Sequence, residues 1–209
     1  MKSLIFDIDG TLWDSRALVA EGYNIQLRAE GYPHLCVDAE ILRPLFGKTM
    51  SAIADAILAE VAVPERYALM ERCMETENRY LAENECRIGY AGVAETLETL
   101  AKAYDLYIVS NAQCGYPELC MEKLGLAHLI KGHLCFGDTG TEKGQTILEL
   151  MRRHGITEAC YIGDTQGDYE ATVEAKIPFI WCAYGFGSPE GFAARLEDIR
   201  QLPQLLENL

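Results

Sequence analysis

Short apolar runs rich in β-branched and aromatic residues recur along the chain, at Ser3 to Phe6, Leu106 to Val109, His133 to Phe136, Ala159 to Ile162 and Pro178 to Cys182. Continuous apolar runs of this length suit strands covered on both faces, as in a parallel sheet. Helix-period segments lie between the later ones, at Gly92 to Ala103, Tyr116 to Leu124, Gly144 to His154 and Asp168 to Ala175. Strand and helix taking turns in this way predict βαβ units and an α/β, Rossmann-like doubly wound parallel sheet. Residues 15–89 break the alternation: they hold no convincing strand and show helical spacing in "SAIADAILAEV" and "ERYALMERCMETENRYLAEN". The sequence therefore predicts a core from residues 1–14 and 90–209 and an inserted all-helical cap over 15–89. Hinges are expected near Asp14 and Ser15 and in Ile88 to Gly92, where glycines mark irregular backbone. The insertion leaves after the first strand and returns before the helix leading to the second, which places it, as an expectation, over the sheet end where both strands emerge. The amphipathic "FAARLEDIRQLPQLLENL" is expected to pack a last helix on the core.

Charge narrows the function classes. A net charge of -14 over 209 residues opposes nonspecific nucleic-acid and anionic-membrane binding, both of which need a basic surface. A small substrate is expected, and if it is anionic the site must supply local positive charge. The eight cysteines form no CxxC pair, so neither a zinc ribbon nor a thioredoxin-like motif is readable. They read as free thiols, and the absence of a signal-peptide pattern and of a spanning apolar run gives a cytoplasmic expectation. The histidines fall in no ligand spacing.

In an open parallel sheet, ligands bind outside the carboxyl ends of the strands. The first predicted strand is followed by Asp7, Asp9, Gly10 and Thr11, and the second by Ser110 and Asn111. The third is followed by "GDTGTEKG" with Lys143 ahead of a helix, and the fourth by "GDTQGD" with Gly163, Asp164, Thr165 and Asp168. Carboxylates, a hydroxyl and an amine from four separated segments thus meet at one sheet edge. Two carboxylates about 4 Å apart repel by roughly 4 kcal/mol at an effective dielectric near 20, so such a cluster has to be protonated or neutralised by a cation. Plainer readings exist for each residue: an Asx-turn for Asp7 and Asp9, helix capping for Asp164 and Asp168, a turn role for Ser110, a surface lysine for Lys143.

These residues, in this order, resemble the four motifs of the haloacid dehalogenase superfamily of phosphohydrolases, in the branch with a helical cap and near the phosphoglycolate phosphatases. DxDGT is met by Asp7, Asp9, Gly10 and Thr11, the second motif by Ser110, the third by Lys143, and the acidic GDxxxD by Gly163, Asp164 and Asp168. Two positions depart from the pattern: Gly144 follows the motif lysine where proline is frequent, and the return linker reads Ala91 and Gly92 in place of a "PG" pair.

The resemblance implies a magnesium-dependent phosphatase acting on a small phosphorylated metabolite. Mg2+ is hard, prefers oxygen, and is usually held by one or two carboxylates. Its implied ligands are the Asp7 carboxylate, the Asp9 carbonyl and the Asp164 carboxylate, with Asp168 supporting them. Asp7 is the implied nucleophile and Asp9 the general acid and base, a carboxylate not expected in dehalogenases because halide leaves without a proton. Ser110 and Asn111 are placed on the phosphoryl oxygens, Lys143 on the charge of Asp7, and Gly10 and Thr11 beneath the phosphate. Lys48, in the cap turn "LFGKTMS", is a candidate contact for an anionic substrate. A sugar-phosphate mutase resembling β-phosphoglucomutase and a catalytically idle binding protein on the same fold are the alternatives. Either a monomer or a homodimer is compatible with the sequence.

Overall fold

The computed structural model describes residues 2–208 and separates into two compact units. One comprises the described residues up to Asp14 together with those from Ile88 onward; the other is Ser15–Arg87.

The first unit is built on six parallel strands, β1 (Ser3–Phe6), β2 (Asp105–Ser110), β3 (Ile130–Cys135), β4 (Ala159–Gly163), β5 (Phe179–Cys182) and β6 (Ala194–Leu196), in the order β3-β2-β1-β4-β5-β6. This order winds outward in both directions from β1, so the topological switch point lies between β1 and β4. Leu4, Ile5 and Phe6 of β1 have no exposed surface. Burying each contributes about 1.5–3 kcal/mol, which fixes the strand and carries Asp7 with it to the sheet edge. Strand alternation sends Ile5, Tyr107, Val109, Tyr161 and Phe179 to one face, where they pack with Ile147 and Leu150 of α8 (Lys143–His154) and Ala171 and Ala175 of α9 (Gln166–Ala175). The remaining helices of this unit are α5 (Val93–Leu100), α6 (Tyr116–Lys123), α7 (Phe136–Thr139) and α10 (Leu202–Glu207), numbered in chain order.

Two segments differ from the sequence expectation. Phe136 starts α7 and does not extend β3, because the Asp138 carboxylate accepts from the Cys135 N–H at 2.8 Å and turns the chain. The C-terminal amphipathic stretch is not one helix: Ala194–Leu196 joins the open edge of β5, with Arg195 stacked 4.8 Å from the Trp181 ring and Leu196 fully buried. Asp198 then accepts from the Arg200 N–H at 2.9 Å, and Pro203 opens α10, which buries Leu202 and Leu206. A three-residue edge strand is shorter than the periodicity needed to separate it from a helix.

The two connections to the helical unit run antiparallel to each other: the Asp14 N–H donates to the Ile88 carbonyl at 2.8 Å, and the Tyr90 N–H to Leu12 at 3.0 Å. Within Ser15–Arg87, α1 (Arg16–Ala29) packs against α4 (Glu65–Glu83), with α2 (Ala39–Leu42) and α3 (Met50–Ile57) between them in sequence. Gly22 is what lets α1 approach, since a Cβ there would sit 2.8 Å from the Glu77 Cα. Asn24 anchors the following loop, donating to the Val37 carbonyl at 2.7 Å and accepting from its N–H at 2.9 Å. Among the described residues no helix is long and apolar enough to cross a membrane.

Candidate active site

The ends of β1 and β4 bring Asp7, Asp164 and Asp168 together, all buried, with carboxylate oxygens within 4.8 Å of one another. Asp7 directly follows β1, and its N–H continues the ladder to the Ile162 carbonyl at 2.8 Å. Asp164 directly follows β4. Asp168 lies in the first turn of α9, where its Oδ2 accepts from the N–H groups of Asp164 at 3.1 Å and Thr165 at 2.9 Å and from the Thr165 hydroxyl at 2.8 Å. The capping role the sequence allowed for Asp168 is therefore present, and its other oxygen is engaged as well: Lys143 Nζ donates to Oδ1 at 2.6 Å.

Lys143, 4% exposed, also reaches Asp7 Oδ1 at 3.0 Å and lies 5.7 Å from the Tyr161 ring centroid. It is a buried bridge between two carboxylates and not a surface lysine. Burial opposes its charge, but Asp168 and Asp7 outweigh burial and raise its pKa, so it stays protonated. One cation does not balance three carboxylates. Burial first and then the neighbouring Asp168 push the Asp7 carboxyl up to about 7 despite Lys143, and burial with Asp168 and Asp7 raises Asp164 well above the usual range. The donor set calls for a further positive charge. Asp164 Oδ2 accepts from the Phe186 N–H at 2.6 Å, but the buried Oδ1 has no hydrogen-bond partner among the described residues. An orphaned carboxylate oxygen beside Asp7 fits a hard cation that takes oxygen ligands.

Gly10 and Gly185 make the cradle possible. Gly10 has φ +77°, and a Cβ on it would collide with the Asp164 carboxylate, while a Cβ on Gly185 would meet Asp164 and lie 2.5 Å from the Gly10 carbonyl. Gly10→Ala is expected to cost about 1–2 kcal/mol from the left-handed backbone alone, read by urea unfolding. It also displaces Asp164, so stabilisation by a divalent cation should be lost in thermal melts.

Asp9 is half-buried, and its Oδ1 accepts from both Trp13 Nε1 and the Tyr116 hydroxyl at 2.8 Å. Ser110 ends β2 and accepts from the Ala112 N–H at 3.2 Å, which turns the chain and leaves Asn111 buried at the same edge. Thr11 is buried, and its carbonyl accepts from the Tyr184 hydroxyl at 2.8 Å. Lys48 belongs to the helical unit, exposed on the turn between Gly47 and the Thr49 cap of α3. Trp13, Tyr116 and the "GFG" loop of Gly185, Phe186 and Gly187 also belong to the site, and no sequence motif marks them. Two glycines shortly after a strand at the carboxyl edge were the available signal for the loop; the aromatics read as core.

A second cluster joins Cys114, Cys135 and Asp138. Asp138 accepts from Cys135 Sγ at 3.1 Å and from Cys114 Sγ at 3.7 Å. Burial and the Asp138 charge raise both thiols, which keeps them protonated as donors and ties the loop after β2 to the end of β3.

The fold is an α/β one, a parallel sheet that carries a buried cluster of carboxylates and a lysine at its switch point. The chain belongs to the haloacid dehalogenase-like hydrolase family, which it matches over residues 4–182. It is 28% identical to the phosphoglycolate phosphatase of Xanthomonas campestris pv. campestris, covering 99% of this chain and 95% of that protein. A crystal structure described as a predicted phosphoglycolate phosphatase from Haemophilus somnus 129pt superposes with a TM-score of 0.83 at 22% identity, covering 99% of this chain and 98% of that one. The 2-haloacid dehalogenase of Pseudomonas syringae pv. Tomato DC3000 gives a TM-score of 0.66 at 27% identity, covering 100% and 99%.

Proposed function

We propose that this chain is a magnesium-dependent phosphatase that hydrolyses a small phosphomonoester, of the phosphoglycolate type, through an aspartyl-phosphate on Asp7. The observation that carries this reading is the Asp7 carboxylate, held by Lys143 at 3.0 Å beside an Asp164 oxygen with no partner. The carboxylates of Asp7 and Asp164 and the Asp9 carbonyl would hold magnesium, which when bound supplies the positive charge that admits a phosphate dianion into an acidic site. Asp168, whose oxygens are engaged by Lys143 and the Thr165 turn, would support these ligands and not replace them.

An Asp7 oxygen attacks phosphorus and the ester P–O bond breaks, with Asp9 giving its proton to the departing oxygen. Asp9 then takes a proton from the water that attacks the aspartyl-phosphate, and Asp7 is released with inorganic phosphate. Lys143 favours the charged form of Asp7 against burial and Asp168, and offsets the charge of the transferring group. Ser110, Asn111, Gly10 and Thr11 would bind the phosphoryl oxygens, and Lys48 is proposed as an anion contact on the strength of its charge. The Asp9 carboxylate supports phosphatase over dehalogenase chemistry, since an alkoxide needs a proton and a halide does not. The phosphoglycolate phosphatases among the relatives support a small, anionic substrate.

A phosphate-release screen over phosphoglycolate, sugar phosphates, nucleotides and pyrophosphate, with magnesium and with EDTA, tests this. Magnesium-dependent release from phosphoglycolate or a similar small ester is expected. A sugar phosphate isomerised without free phosphate would replace hydrolysis by a mutase reaction, and silence across the panel would remove the enzymatic reading.

A further inference from the structure

Asp9 Oδ1 accepts hydrogen bonds from two neutral aromatic donors, each of them packed into the core. Trp13 is fully buried and Tyr116 is 2% exposed, and their rings meet edge to face at 5.4 Å and 79°. Each is fixed by its own backbone. The Trp13 N–H donates to the Ile8 carbonyl and its carbonyl accepts from the Gly10 N–H at 2.9 Å, closing the tight loop that follows β1. Tyr116 opens α6 between Gly115, at φ +83°, and Pro117 in the first turn. Two rigid elements, one from each of two strands' loops, therefore converge on one oxygen of a half-buried carboxylate.

We infer that Trp13 and Tyr116 are positioning residues that fix the orientation of the Asp9 carboxylate for proton transfer to the leaving group. This rests on the phosphatase reading above and deepens it. A general acid works only within hydrogen-bond reach of the oxygen it protonates, and a carboxylate on a single χ1 and χ2 can swing out of that reach. Two donors on the same oxygen, approaching from different loops, restrict both angles. Because a tyrosine hydroxyl and an indole N–H in a core each need a partner, the arrangement also satisfies them. That structural service alone would not make turnover depend on the leaving group.

The leaving group is thus the discriminating variable. An alkyl phosphate expels a strongly basic alkoxide and needs the Asp9 proton, whereas p-nitrophenyl phosphate expels a weakly basic phenolate. For wild type, Tyr116→Phe, Asp9→Asn and the double variant, kcat is measured with magnesium on p-nitrophenyl phosphate and on an alkyl ester the enzyme hydrolyses. Tyr116→Phe is expected to lower the alkyl-to-aryl kcat ratio by about tenfold, a part of the 10²–10⁴ that general acid catalysis supplies. In the Asp9→Asn background the same change should move the ratio no further, since the hydroxyl acts through Asp9. Trp13→Phe, which keeps a ring and removes the N–H, is expected to shift the ratio in the same direction.

Equal losses on both esters, or an unmoved ratio, in Tyr116→Phe and Trp13→Phe would overturn the inference and leave the phosphatase reading standing. Should Asp9→Asn itself leave the ratio unmoved, the general-acid assignment falls and the inference with it. A further shift of the ratio in the double variant would mean that Tyr116 acts on the reaction by another route, and would also overturn it.

Discussion

Asp7→Asn is expected to abolish phosphate release, by at least about 10⁴-fold, and at the same time to make the cation-free protein more stable than wild type at pH 8. The first effect follows from removing the proposed nucleophile, since an amide cannot form the acyl phosphate. The second follows from the charge balance of the cluster. Burial, then Asp168, hold the Asp7 carboxyl up to about 7, far above its unfolded value near 4, with Lys143 only partly offsetting them. A group whose folded pKa is raised contributes stability that is fully present below the unfolded pKa and is lost as pH rises through the folded one. Wild type therefore loses stability between about pH 4 and 7, and asparagine, which does not ionise, loses none at this site. At about 1.4 kcal/mol per unit the gap grows to roughly 2–4 kcal/mol in favour of the variant by pH 8. Urea unfolding in EDTA at pH 5, 6, 7 and 8 measures it. Added magnesium should narrow the gap, because wild type gains a ligand that the variant binds poorly. A gap that does not change with pH would mean that Asp7 is not strained by its neighbours and that the cation has no electrostatic task there.

The same cluster shows which parts of the site could be read in the sequence. Asp7, Ser110, Lys143 and Asp164 each stand at the end of a strand or the start of a helix that short apolar runs make visible, and a parallel sheet brings such ends to one edge. Their convergence was therefore legible once the strands were. The partners of those residues were not. Tyr116 reaches Asp9 across 107 positions of sequence, and in a linear reading a tyrosine between Gly115 and Pro117 is a helix start with an aromatic on its buried face. Phe186 serves Asp164 through its backbone N–H, a contact that no side-chain pattern announces. Strand β6 is hidden for a different reason: Ala194, Arg195 and Leu196 become a strand by joining the edge of β5 and stacking on Trp181, a tertiary cause acting on a segment with helical spacing.

Lys143→Met is expected to be the most destabilising single change in the cluster. The ammonium is 4% exposed and lies 2.6 Å from Asp168 and 3.0 Å from Asp7, so its loss leaves three buried carboxylates with no cation among the described residues in contact. Removing one partner of a buried ion pair costs about 3–5 kcal/mol, because the remaining charges keep their desolvation penalty and lose their attraction. Methionine preserves most of the volume over the Tyr161 ring, so a cavity is a minor part of the effect. The sign with pH separates charge from packing. Asp7 and Asp164 have raised pKa values and accept protons as pH falls, so the destabilisation should be smaller at pH 5 than at pH 8. Asp168→Asn added to Lys143→Met should recover part of the loss at pH 8, since it removes an anion while keeping an acceptor for the Asp164 and Thr165 N–H groups. Turnover should fall by about 10²–10³ even with saturating magnesium, the usual loss on removing one electrostatic stabiliser of a transition state. Denaturant unfolding of the two variants at pH 5 and pH 8 reads all three stability effects. A Lys143→Met protein equal to wild type at pH 8 would show that the carboxylates meet their charge balance elsewhere, and the cluster would then have to bind its cation without lysine's help.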